Sequence, residues 1–347
     1  MSRAQGSRGA VLAGLLLTAC PGGGSGDEAD GSSQEGPGTD TSTTDGIADI
    51  DTDGGVKLDM NVQADLPPGE ESGCEKIDFL FVIDSSGSMA DNQANLIASF
   101  PGLVTAMTEN VAADDWHVMV VDTDGQWGGT DCANACMTLG FCPDEPAFPC
   151  DAPPPGFCDI SLGAGEVGPM GEAASNVDCQ LAGGARYIQK AEPDLLSAFS
   201  CVAKVGVDGS DAERPMDALL RALDPELEDE GGCNEGFVRD DAILVVTLIT
   251  DEPDIHSLGD PADWADAVIA AKGGNPDAVV VLGLLPDGEL AQPLCGVEAV
   301  LAPRLTAFLE LFTASSWASV CEPDYSPFFV EAVSVIGEAC DDFVPIG

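Results

Sequence analysis

The chain has 347 residues, with 61 Asp and Glu against 12 Lys and Arg, and a formal net charge of −49. That excess excludes a nucleic-acid binder, which needs a basic face to displace counterions from phosphates, and excludes electrostatic attachment to an anionic membrane surface. A 44% apolar content with 41 glycines describes a globular protein with loop-rich parts.

Arg3 and Arg8 precede a short apolar run from Gly9 to Leu17, too short to cross a bilayer, so residues 1–19 read as a secretory signal peptide. Leu17-Thr18-Ala19-Cys20 resembles the lipobox of bacterial lipoproteins, in which the cysteine is acylated and becomes the first mature residue. Pro21, where an aspartate would hold the protein back, implies the outer membrane, on its periplasmic or cell-surface face, with the lipid as the only membrane contact. Residues 20–73 carry the acylated Cys20 and then Gly, Ser, Thr, Asp and Pro with few large apolar side chains, and cannot bury enough surface to offset chain entropy. A coil of this length spans roughly 40 Å, so the segment is expected to be a disordered acidic tether. Within it, Asp49-Ile50-Asp51-Thr52-Asp53-Gly54 copies the opening of an EF-hand loop, but Met60 stands where the bidentate Glu belongs.

With Cys20 set aside, twelve of the 13 cysteines remain, an even number in an exported protein, and disulfides are expected. Cys132, Cys136, Cys142 and Cys150 match no zinc spacing. A bridge between Cys321 and Cys340 is expected near the end of the chain.

From Cys74 the pattern changes. Ile77–Ile83, Trp116–Val121, Ala242–Ile249 and Ala278–Leu285 are short and nearly continuous in apolar residues, as strands buried on both faces should be. Trp317–Val320 reads as an edge strand. Helical periodicities fall at Leu96, Phe100, Leu103 and Met107, where Pro101 should kink or split the helix, and at Leu195–Val202, Met216–Leu223, Trp264–Ala271, Leu301–Phe312 and Phe329–Ile336. Residues 74–347 are therefore expected to form an α/β domain: an open, mostly parallel sheet with helices on both faces and a ligand crevice at the carboxyl ends of its strands.

Two strand ends carry the chemistry. Asp84-Ser85-Ser86-Gly87-Ser88-Met89 follows the first strand, so Asp84, Ser86 and Ser88 can turn one carboxylate and two hydroxyls toward one point, offering the hard oxygens that Mg²⁺ prefers. Thr250-Asp251-Glu252 follows the Ala242–Ile249 strand, and Asp251 reaches the same crevice if the strands are neighbours. The run Phe79-Leu80-Phe81-Val82-Ile83-Asp84-Ser85-Ser86-Gly87-Ser88-Met89 resembles the von Willebrand factor type A domain, also found in integrins, whose Asp-x-Ser-x-Ser loop opens the metal-ion-dependent adhesion site. The resemblance places Asp251 at the family's distal aspartate. It implies cation-dependent adhesion without catalysis: a bound Mg²⁺ or Ca²⁺, or Mn²⁺, leaves one position open for an acidic group of a partner protein or other acidic ligand. The family also supplies a threonine before its middle helix; the matching stretch, Gly209-Ser210-Asp211-Ala212-Glu213-Arg214-Pro215, has none, and Glu213 and Ser210 are the two candidates for its place. Glu213 would add negative charge at the metal and either shift preference toward Ca²⁺ or leave the site occupied without an external acid. Two readings compete with adhesion: a structural cell-envelope module whose cation only stabilises the fold, and a serine hydrolase using Ser86 or Ser88, His256 and Asp251 or Asp254. The loop is not the Gly-x-Ser-x-Gly elbow that exposes a nucleophile.

Between the second strand and a short strand expected at Arg186-Tyr187-Ile188 lie about sixty residues where a hairpin needs two to five. This insertion, at about 125–185, holds Cys132, Cys136, Cys142, Cys150, Cys158 and Cys179, and is expected to form a disulfide-rich lobe beside the metal loop that contributes to partner choice. Asp122 and Asp124 read as ordinary strand-end acids rather than a second cation site.

Overall fold

The structure, a computed structural model, describes residues 74–124, 137–140, 150, 156–210, 212–296 and 300–344. The signal segment, Cys20, the tether with its Asp49–Gly54 run, Asp211, and Cys132, Cys136 and Cys142 lie outside the described residues.

The apolar runs become strands β1 (Lys76–Ile83), β2 (Asp115–Asp122), β3 (Ile243–Ile249), β4 (Val279–Leu285) and β5 (Ser315–Ser319). All four pairings are parallel, in the order β2-β1-β3-β4-β5. Period-two alternation divides each strand between two cores: Ile77, Phe79, Phe81 and Ile83 of β1 enter one, Leu80 and Val82 the other. Helices on both faces cover them, as the sequence predicts.

On the first face lie α1 (Ala90–Asn110), α2 (Leu195–Val202) and α7 (Ser326–Asp342). Phe100 of α1 stacks on Phe199 of α2 with ring centroids 3.5 Å apart, and both meet Phe81 edge-on. On the second face lie α3 (Pro215–Ala222), α5 (Pro261–Ala271) and α6 (Pro303–Leu309), with the short α4 (Pro225–Glu228) after α3. Proline opens each of these four, where its fixed φ suits a first helical residue and its missing N–H would be unpaired anyway. Asp260 adds a reciprocal cap to α5: its carboxylate accepts from the Asp263 amide while the Asp263 carboxylate accepts from its own amide.

Two expectations are corrected. Pro101 does not split α1, which runs unbroken from Ala90 to Asn110 because buried Phe100, Leu103 and Met107 hold both sides of the proline in the core. Cys321 does not bond Cys340. Cys321 pairs with Cys295, and Cys340, at the end of α7, pairs with Cys74 beside the start of β1. The long α7 packs back along the sheet and carries Cys340 to the opposite end from Cys321, a separation invisible in sequence spacing.

The described part of the insertion is fastened to the body. Cys158 bonds Cys233 and Cys179 bonds Cys201 of α2. The chain also lines the β2 edge: Glu166 donates its amide to the Val120 carbonyl, and Ile188 forms a single isolated antiparallel bridge with Val118, so the strand expected at Arg186-Tyr187-Ile188 is reduced to that one bridge. The β2 edge is thus covered here rather than left open for pairing.

At the amino ends of the strands, Asp78 is a buried acid flanked by the apolar Ile77 and Phe79 of β1, and Arg239 answers it with two bonds of 2.7 Å, from its backbone amide and its Nε. Burial pushes the Asp78 carboxyl up to about 6 against the pull of Arg239. His117 belongs to this cluster, its Nδ1 bonded to the Phe237 carbonyl at 2.9 Å, and has a structural place there.

Candidate functional site

The strand order reverses direction between β1 and β3: the chain first moves from β1 to β2 on one side, then returns to place β3 on the other. In open α/β sheets the crevice outside the carboxyl ends at such a point is where ligand sites form. Asp84 and Asp251 stand there, one at the end of each neighbouring strand, so the condition set for Asp251 is met.

A continuous chain of hydrogen bonds joins them. The Ser86 amide donates to Asp84 Oδ1 at 2.7 Å; the Ser86 and Ser88 hydroxyls share a bond of 3.3 Å; the Ser88 hydroxyl donates to Asp251 Oδ1 at 3.0 Å. The second oxygen of Asp84 accepts from the Thr250 hydroxyl at 2.5 Å. Asp84 and Ser86 are buried, while Ser88 is exposed at the rim and Asp251 half-buried. Burial pushes the Asp84 carboxyl up to about 6, opposed by the bonds from Thr250 and Ser86 and assisted by the charge on Asp251.

The loop before α3 lies against this one. The Gly209 amide donates to the Ser85 carbonyl at 2.9 Å, and a Cβ on Gly209 would stand 2.3 Å from Ser85 Oγ, so only glycine permits the approach. The Ser210 amide donates to Asp124 Oδ2 at 2.7 Å, and the Ser210 hydroxyl turns inward to accept from the Ala212 amide. Of the two candidates for the threonine position, Ser210 thus spends its hydroxyl on its own loop. Glu213 is 2% exposed. Its Oε2 accepts from the Thr123 hydroxyl, and its Oε1 is buried without a hydrogen-bond partner. Burial, then the charges of Asp84, Asp124, Asp122 and Glu252, push the Glu213 carboxyl up to about 11.

Every donor converging here is a hard oxygen, which suits Mg²⁺, Ca²⁺ or Mn²⁺ and not a thiolate- or imidazole-seeking ion. The unpartnered Glu213 Oε1 and the mutual repulsion of the carboxylates fit a bound cation. Among the described residues no group of three or more His, Cys, Asp or Glu is gathered tightly enough to hold a metal ion, so the serine hydroxyls are needed to complete any donor set.

His256 is exposed, the Ser88 hydroxyl is bonded to Asp251 rather than to an imidazole, and Asp254 accepts from the amides of Met216 and Ser257. The parts of a Ser-His-Asp relay are therefore not assembled.

Three supporting residues escape a sequence reading. Thr250 and Thr123 are visible only as neighbours of strand-end acids, and Gln93 carries no motif; its amide donates to the Asp84 carbonyl at 3.0 Å and the Gly206 carbonyl at 2.8 Å, tying α1 to both loops.

No family model matches the chain, and no curated protein matches it. Among solved structures, a proximal thread matrix protein 1 from the mussel byssus aligns over 77% of this chain and 49% of its own, about half its length, with 12% identity and a TM-score of 0.37.

Proposed function

We propose that this protein is a surface-anchored, divalent-cation-dependent binding module of the von Willebrand factor type A kind. The observation that carries the reading is the hydrogen-bond chain from Asp84 through Ser86 and Ser88 to Asp251 at the point where the sheet reverses order. Asp84, Ser86, Ser88 and Asp251 would hold the cation, with Glu213 behind them. When bound, the ion supplies a positive centre to which an acidic group of a partner can attach. The residues from Leu17 to Cys20 would supply a lipid anchor at the bacterial outer membrane, and residues 20–73 the reach beyond it. Among the described residues no helix is long and apolar enough to cross a membrane. No catalysis is proposed.

A second reading, a structural envelope module whose cation only stabilises the fold, is favoured by Glu213, an acid of the chain itself at the same crevice. The two separate in calorimetric titrations of the metal-stripped chain with Mg²⁺, Ca²⁺ or Mn²⁺, with and without acetate at constant ionic strength. An open position for an external carboxylate makes acetate tighten cation binding; a purely structural cation is indifferent to it. Absence of binding by all three ions would sink both readings.

A further inference from the structure

We infer that the loops after β3 and β4 form a docking surface for a protein partner that presents apolar side chains bordered by Lys or Arg. The inference stands on that surface alone and does not depend on a bound cation.

Ile255 and Leu258, on the loop after β3, are 68% and 78% exposed, and Leu290, Leu294, Val300 and Leu301, after β4, are 38–57% exposed. Six of the fifteen large apolar residues exposed among the described residues thus stand on two neighbouring loops, because β3 and β4 pair directly. Hydrogen bonds join the loops into one surface. Arg304, at the start of α6 and three residues after Leu301, donates to the carbonyls of Asp254, Ser257 and Gly259 at 2.9, 3.1 and 2.7 Å. The Gly288 amide donates to the Val300 carbonyl at 2.9 Å, which brings the two ends of the second loop together.

Both loops are braced from beneath. The Leu258 amide donates to Asp217 Oδ1 of α3 at 3.0 Å, and the Arg304 guanidinium lies over the Trp264 ring, 4.4 Å from its centroid. In the second loop the fully buried Asp287 carboxylate accepts from the amides of Leu294 and Cys295 and from the Ser319 hydroxyl, and Cys295 is bonded to Cys321. Aliphatic side chains held outward by a fixed backbone cannot be relieved by local collapse. A contiguous apolar patch of this kind marks an interaction site, and binding to it costs little ordering of the loops.

Charge decides the occupant. Residues 250–260 and 286–302 contain seven Asp or Glu and no Lys or Arg, and Arg304 spends its guanidinium on the loop carbonyls. Apolar side chains within an acidic border are complemented by apolar side chains within a basic one. A second copy of the chain would bring a net charge of −49 against the same border, and an anionic membrane would bring phosphates, so both are repelled where a basic protein segment is drawn in.

The test titrates the full chain, in EDTA so that no cation takes part, with three labelled amphipathic peptides of one length, built from Leu and Lys, from Ser and Lys, and from Leu and Glu. Fluorescence anisotropy compares wild type with Ile255→Ser/Leu258→Ser and Leu294→Ser/Leu301→Ser. The Leu/Lys peptide should bind the wild type saturably, and each double variant should weaken it by about tenfold or more, since each removes two apolar contacts. The Ser/Lys peptide should bind all three proteins weakly and alike, and the Leu/Glu peptide none of them. Equal affinity of the Leu/Lys peptide for wild type and both variants overturns the inference, as does a Leu/Glu peptide that binds the wild type as tightly. So does a wild-type dimer in sedimentation velocity that the substitutions dissolve, which would make a second copy the occupant, or flotation of the unacylated chain with phosphatidylcholine vesicles that they abolish, which would make it a membrane. Should the variants fail to fold, amide hydrogen exchange of the wild type decides: protection by the Leu/Lys peptide at residues 255–258 and 290–294 supports the surface, and protection confined elsewhere overturns it.

Discussion

The hydroxyl of Ser88 donates to Oδ1 of Asp251 across 3.0 Å, bridging 163 residues of sequence and joining the loop after β1 to the end of β3. This bond links the two loops at the carboxyl ends of the neighbouring strands β1 and β3, among the oxygens proposed to hold the cation. Asp251→Ala should therefore reduce the cation-induced rise in melting temperature to near zero while leaving the cation-free protein folded, since Asp251 is half-buried and at the rim. For a ligand at a hundred times its dissociation constant the lost stabilisation is about 2.7 kcal/mol. Differential scanning fluorimetry with and without CaCl₂ measures it; an equal cation shift in wild type and variant would remove Asp251 from the site.

Gly209 lies so close to Ser85 that any side chain must displace one loop or the other. Gly209→Ala should cost about 1–3 kcal/mol, the usual range for overpacking, and should weaken cation binding too, because the displaced loop carries Glu213. Urea unfolding together with calcium titration checks both parts. A variant as stable as wild type would show that the two loops separate freely.

The Cys74–Cys340 bridge ties the start of β1 to the end of α7 and closes a loop of most of the domain. Replacing both cysteines by serine should lower stability by about 2–5 kcal/mol, at the upper part of that range if denatured-state entropy governs the effect. The cation-binding residues lie at the other end of β1, so calcium affinity should hold. Guanidinium unfolding of the oxidised proteins makes the comparison.

Stability should fall as pH rises. Burial pushes the Glu228 carboxyl up to about 8 and, largely by the same cause, Glu166 up to about 7, with Arg186 pulling against it. Glu228 Oε1 is buried without a hydrogen-bond partner. In the unfolded chain both titrate near the ordinary value for glutamate, so between about pH 4 and 8 the folded state holds more protons than the unfolded one, and the slope of unfolding free energy with pH is negative. Their contribution is complete below about pH 4 and is lost as pH passes through 7 and 8. Cation-free protein should thus melt higher at pH 5.5 than at pH 8.5, and Glu228→Gln should flatten the difference. A melting temperature that climbs over this range would contradict the assignment.

The net charge of −39 carried by residues 74–347 adds to that trend through self-repulsion. Six of those acids, Asp84, Asp122, Asp124, Glu213, Asp251 and Glu252, stand at the crevice and its borders.

Much of this was legible in the chain itself. Continuous apolar runs of strand length can only be buried on both faces, and so imply a parallel sheet clothed in helices; β1 to β4 fall within a residue or two of those runs. The Asp84–Ser88 loop was legible too, because an acid and two serines at alternate positions after a buried strand are a local pattern. What only the tertiary structure decided were relations between segments far apart in sequence. Strand order put β3 beside β1 and so brought Asp251 to Ser88. Packing of the loop before α3 buried Glu213 against Thr123, although it is one acid among 61 in the sequence. Packing of α7 carried Cys340 to Cys74. Local pattern records which side of an element faces the core, since that depends on residues two to four apart. Which elements become neighbours depends on the burial of both sheet faces together, and no short stretch of sequence contains that information.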